Sequence, residues 1–206
     1  PWIYGLLTLL FIALSVCIFL RVLDISSSVL QILLAALTVS FPSLTGTFCF
    51  MFTSAAYGLA FFLSALCVWF FARGGLKNCA AAALALILCL SIYQAYVAIS
   101  ASFFVLLMVR DCLEGEKSPW KIVLWGLKAL GMMAISLAAY FAVSLLVFKF
   151  TGMEFNSYVL ENINSSASIP GKIRLAYQNF IDIFSYRNYY IISSEASRIV
   201  HLILAA

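Results

Sequence analysis

Glu154, Glu161, Asp182 and Glu195 share one polar stretch, residues 151–198, with the basic pair Lys172 and Arg174. Carboxylates and cations in such company suit a lipid-phosphate substrate: a carboxylate takes a proton from an acceptor hydroxyl while the cations hold a departing phosphate. The same residues serve equally to keep a loop solvated, and for any one of them that plainer role stands beside the chemical one. Tyr93 and Gln94 pose a different question, because they fall inside a run from Cys79 to Val109 that carries no charge. A polar pair there must find partners within the protein or reach the interface. Either a hydrogen bond between helices satisfies it, or it lines a cavity for a sugar-bearing lipid.

Other chemistries have no foothold. There is no HExxH, P-loop, GxSxG or dinucleotide fingerprint, so no cofactor is expected. His201 stands by itself, and Cys17, Cys49, Cys67, Cys79, Cys89 and Cys112 show no CxxC or Cys/His spacing. No metal site is expected, and the six cysteines read as small buried apolar residues. The net charge of +4 is spread among loops without a basic run interleaved with aromatics, which argues against nucleic acid as a partner.

The elements that must position these residues are dictated by the solvent. Only 10% of the 206 residues are charged and 65% are hydrophobic, against about a quarter and about half in a soluble domain. Trp2 to Leu20, Phe48 to Ala72 and Ile122 to Phe148 are each long enough to cross a hydrocarbon core of about 30 Å, with Lys128 near enough to the start of the third to snorkel. The expected fold class is therefore all-α, a polytopic transmembrane helical bundle with membrane lipids as its surroundings. A shorter run, Val29 to Phe41, is closed by Pro42, and Ser43 to Thr47 reads as a small polar connection. The uncharged run from Cys79 to Val109 measures about 46 Å as a straight helix, too long for an untilted span. It is either one strongly tilted helix or a hairpin of two helices breaking near Ser91, Tyr93 and Gln94. The hairpin is favoured, since it brings Arg73 and Lys77 to the same side as Arg110, Lys117 and Lys121.

The organisation that follows is transmembrane helices over 1–148, an extramembrane loop over 149–198 and the start of a further span over 199–206. Starting apolar at Pro1 and stopping inside an apolar run, the chain reads as the middle of a longer membrane domain. In the loop Pro170 suits a helix's first turn, and Ile173, Ala176, Tyr177, Phe180 and Phe184 recur at helical spacing. An amphipathic helix lying in the headgroup layer of an outer loop fits that pattern, as does one packed on its own loop.

Ser91-Ile92-Tyr93-Gln94-Ala95-Tyr96 resembles the YQ element of the bacterial membrane glucosyltransferases that modify O-antigen. Phe41-Pro42 followed by Phe48 to Phe52 and Tyr57 is similar to the short helix, proline and aromatic-rich beginning of the next span in that family. Gly152-Met153-Glu154-Phe155-Asn156-Ser157-Tyr158 resembles the stretch that follows the span after the YQ element. The resemblance implies a GT-C-type fold in the bacterial inner membrane. It further implies glucose transfer from a polyprenyl-phosphate carrier to a lipid-linked glycan acceptor. On it, Lys172 and Arg174 are expected at the carrier phosphate, Glu154 and Tyr158 at sugar or acceptor hydroxyls, and Tyr93 and Gln94 in the cavity wall. The family's essential carboxylate is expected in an outer loop nearer the amino end, so no catalytic residue is assigned. A transporter or flippase of a lipid-linked sugar, or an O-antigen polymerase, shares the same helices and tyrosine-rich interface.

Overall fold

The computed structural model describes residues 2–40, 42–152, 170–171, 173–175 and 177–178. It falls into two compact units, Pro1–Thr151 and Gly152–Ala206. The first is a bundle of α1 (Trp2–Val22), α2 (Ser28–Ser40), α3 (Pro42–Thr47), α4 (Ser54–Arg73), α5 (Leu76–Ile92), α6 (Val97–Glu114) and α7 (Pro119–Thr151). In the second, residues 170–171, 173–175 and 177–178 are helical. Among the described residues, four helical stretches are long and apolar enough to cross a membrane: Trp2–Val22, Ser54–Arg73, Gln94–Glu114 and Pro119–Thr151. The fold class is the expected one, and the protein is a membrane protein.

Polar spacing decides where the helices stop. Gly74 and Gly75, with φ of 70° and 83°, turn the chain between α4 and α5 in a conformation that a side chain resists. The uncharged run breaks at Tyr93, whose backbone is extended (φ −154°, ψ 108°), and a 3-10 turn over Gln94–Tyr96 leads into α6. Tyr93 at the end of α5 lies 5.0 Å from Tyr57 at the start of α4, while Phe104, far along α6, meets Phe71 near the end of α4 at 5.2 Å. So α6 runs back beside α4, and the run is a helical hairpin. Ser64 on α4 and Ser100 on α6 share a buried 2.7 Å hydrogen bond. The hydroxyl that accepts in that pair is free to donate to a backbone carbonyl at 3.1 Å, Ser64 to that of Tyr96 or Ser100 to that of Ser64.

Two expected boundaries shift. The polar connection after Pro42 is itself helix α3: proline fits a first helical turn, where its missing N–H is not needed, and Leu44 is buried beneath the turn. Phe48 to Ala72 is not continuous, because a 3-10 turn over Phe48–Phe50 precedes α4. There Thr53 N–H donates to the Phe50 carbonyl and the Ser54 hydroxyl to the Met51 carbonyl, local bonds that compete with helix. The cysteines divide as well: Cys67 and Cys89 are buried, but Cys17, Cys49 and Cys112 face outward. With lipid outside, an apolar thiol need not be interior.

The packing places the charges. Arg110 on α6 donates to the Val22 carbonyl at the end of α1 (2.9 Å), and Phe71 meets Trp125 near the start of α7 (5.3 Å). Arg21, Arg73, Lys77, Arg110, Lys117 and Lys121 therefore gather at one end of the bundle. The other end, formed by the start of α1, residues 42–57 and the break at Tyr93, carries no ionisable Asp, Glu, Lys or Arg. Among the described residues of the bundle, α7 continues beyond it, with Lys149 in its last turn. At 33 residues that helix measures about 50 Å.

Asp111 ties Arg110 and Lys117 into one charged network at the basic end. It is 8% exposed, accepts from Lys117 Nζ at 2.6 Å and lies 3.5 Å from Arg110 Nη2. Asp111→Ala strips both cations of this partner, although Lys117 is exposed enough for water to reclaim it. A loss of about 1–3 kcal/mol is expected, read as a lower unfolding temperature in detergent. An unchanged transition would show that the network does not stabilise the bundle.

Candidate functional site

A cavity of about 780 Å³ opens among α2, α3, α4 and α6 at the uncharged end. Its size is that of a small-molecule site. Phe19, Phe61 and Phe103 build one side as a local consequence of packing α1, α4 and α6: Phe19 stacks on Phe103 at 3.7 Å and meets Phe61 edge-on at 5.8 Å. Tyr57, Tyr93 and Tyr96 build another, with Tyr93 in edge contact with Tyr57 (5.0 Å) and Tyr96 (5.2 Å). Tyr96 is hydrogen-bonded through its side chain to Thr47, which ties the tyrosine cluster to α3.

The break in the hairpin is what puts Tyr93 there. An unbroken helix would carry the chain past the start of α4; the extended residue instead turns the 3-10 segment across it. Gln94, next in sequence, points elsewhere and donates from Nε2 to the Tyr140 hydroxyl on α7 at 2.8 Å. Of the two expected wall residues, Tyr93 lines the cavity and Gln94 braces the turn that presents it. The hydrogen bond between helices is thus made by Gln94.

Arg174 is exposed in the second unit. Glu154, Tyr158 and Lys172 lie outside the described residues, as does His201. Tyr57, Tyr96 and Thr47 were not expected as site residues. Tyr57 and Tyr96 stood within stretches of family likeness, but only the return of α6 along α4 shows that they meet.

The whole chain, residues 1–206, matches the family described as glucosyl transferase GtrII. The chain belongs to that family. No curated protein and no solved structure matches it. Membership of the GtrII family makes the protein a glycosyltransferase, as the resemblance of its YQ element and neighbouring stretches implies. Such an enzyme acts on a sugar donor and a glycan acceptor. Within this GtrII bundle no charged side chain lines the cavity among the described residues. The cavity can therefore bind, shape and exclude water, but proton transfer and phosphate neutralisation need groups from elsewhere.

Proposed function

We propose that the chain is a GT-C-type glucosyltransferase of the bacterial inner membrane that moves glucose from a polyprenyl-phosphate carrier to a lipid-linked O-antigen-type glycan at the outer face. The observation that carries this reading is the placement of an uncharged, aromatic cavity at the end of the bundle opposite its cations, in a member of a glucosyl transferase family. Lysines and arginines favour the cytoplasmic side, which turns the tyrosine end outward. Tyr93 serves in the wall and Gln94 supports it. Lys172 and Arg174 hold the carrier phosphate, and Glu154 and Tyr158 bond sugar or acceptor hydroxyls.

Membranes containing the full-length protein are tested with polyprenyl-phosphate carrying radiolabelled glucose and with lipid-linked glycan. Appearance of label in the glycan supports transfer. Movement of intact carrier across the membrane with no new glycosidic bond would establish transport in its place.

The orientation has its own check. Cys49, at the cavity end, and Cys112, in the last turn of α6, are both exposed. A membrane-impermeant maleimide added to intact spheroplasts is expected to label Cys49, and Cys112 only after permeabilisation. The reverse order would place the cavity on the cytoplasmic side.

A further inference from the structure

We propose that the cavity between α2, α3, α4 and α6 receives the hydrocarbon chain of the lipid carrier, and that the sugar and phosphate stay outside it. This rests on the transferase reading above and assigns what its cavity holds. Three features of the lining point the same way. First, with no cation there, a phosphate would enter without a counter-charge, which burial penalises heavily. Second, half of the six lining hydroxyls are committed: Thr38 donates to the Leu34 carbonyl and Tyr96 is paired with Thr47. Those of Tyr57, Tyr93 and Ser102 are too few to satisfy the hydroxyls of a glucosyl group, and each one left unpaired on burial costs about 1–3 kcal/mol. Third, the remaining wall is hydrocarbon, from the stacked Phe19 and Phe103 to Leu37, Leu44 and Ile99. A chain needs no hydrogen bonds and gains from each apolar contact.

The surroundings offer a route in. Helix α2, which supplies Leu37 and Thr38 to the lining, buries none of its residues. A chain dissolved in the bilayer reaches the cavity by passing beside α2, with no need to leave the hydrocarbon phase. Its polar end then comes to rest outside the lining, where charged groups can serve it.

The test uses the full-length protein in phospholipid nanodiscs and a polyprenyl phosphate bearing a diazirine near its terminal isoprene units. After irradiation, labelled peptides are located by mass spectrometry. Label is expected on the cavity-lining stretches 44–61 and 95–103, and unlabelled polyprenol, which has no phosphate, is expected to compete as well as polyprenyl phosphate. Methyl glucoside is expected not to compete. Persistence of labelling against the excess of phospholipid separates a carrier chain from an ordinary acyl chain.

Gly46 provides the matching variant, because it lines the cavity and a Cβ there meets nothing within 4 Å. Gly46→Phe is expected to cut cavity labelling about tenfold, the effect of about 1.4 kcal/mol of lost space. Should that variant fail to fold, the wild-type competition pattern still decides. Label confined to outward faces of α2 or α7, displacement by phospholipid alone, or protection by methyl glucoside and not by polyprenol overturns the assignment. A protein that labels as stated but transfers no glucose refutes the transferase reading and leaves this one standing; one that transfers but labels elsewhere does the opposite.

Discussion

Tyr93→Ala is expected to lower glucosyl transfer about 100-fold, the scale of loss that follows when a positioning surface shifts by an ångström or so. The reasoning begins with the ring. It closes the gap between Tyr57 and Tyr96, at 5.0 and 5.2 Å, and without it the two outer tyrosines lose their common neighbour. Aromatic pairs of this kind are worth about 0.5–1.5 kcal/mol each beyond the area they bury. The hydroxyl contributes less, since it makes no hydrogen bond among the described residues. Tyr93→Phe keeps the ring and is expected to reduce transfer only about two- to tenfold. Rates measured on membranes, normalised to folded protein by size-exclusion in detergent, separate the two variants. If alanine and phenylalanine at 93 behave alike, the ring is not what the enzyme uses and the tyrosine cluster loses its proposed part.

Part of this arrangement was readable from residues alone, and the limit has a physical cause. The solvent could be read from composition, because few ionisable side chains survive in a chain surrounded by lipid. The hairpin could be read as well: a run of uncharged residues too long for one upright span must tilt or fold back, and Ser91, Tyr93 and Gln94 marked where. The helix over residues 42–47 was hidden. Ser43, Gly46 and Thr47 look like a connection, and only burial of Leu44 against α1 and α4 partners makes it otherwise. The cavity was hidden for a stronger reason. Its walls come from pairs such as Phe19 with Phe103 and Tyr57 with Tyr93, far apart in sequence, and no local periodicity reports which helix lies beside which. The candidates Glu154, Tyr158 and Lys172 fall outside the described residues, so their part is a proposal carried by chemistry and family likeness.

The division of labour that emerges is between a dry bundle and a polar segment. Hydrocarbon, aromatic rings and committed hydroxyls make a surface well suited to holding apolar matter and poorly suited to moving protons or stabilising phosphate. Charged groups able to do the second task stand away from the cavity lining, at the basic end of the bundle and after residue 151 in the sequence. The proposed reaction would need both, because a polyprenyl-phosphate donor is itself half apolar and half charged.

Gly58→Leu is expected to be the most damaging single change to the bundle. A Cβ at Gly58 would stand 3.0 Å from the Thr8 Cα and 3.4 Å from the Thr8 carbonyl oxygen, both backbone atoms that cannot swing aside. Helices α1 and α4 would have to separate. That separation reaches further than one contact, for α1 carries Phe19 into the cavity wall and Val22 to the Arg110 guanidinium. Without a hydrophobic drive between helices in lipid, close approach through small residues is itself a main source of attraction, so pushing the pair apart removes it. A loss of about 3 kcal/mol is expected for leucine, the upper part of the overpacking range, and less for alanine, whose single methyl needs only a small adjustment. Thermal unfolding in detergent should rank wild type above Gly58→Ala and Gly58→Ala above Gly58→Leu, with glucosyl transfer falling in the same order. A leucine variant as stable as wild type would show that α1 and α4 do not meet at Thr8, and the position of Phe19 in the cavity would fall with that contact.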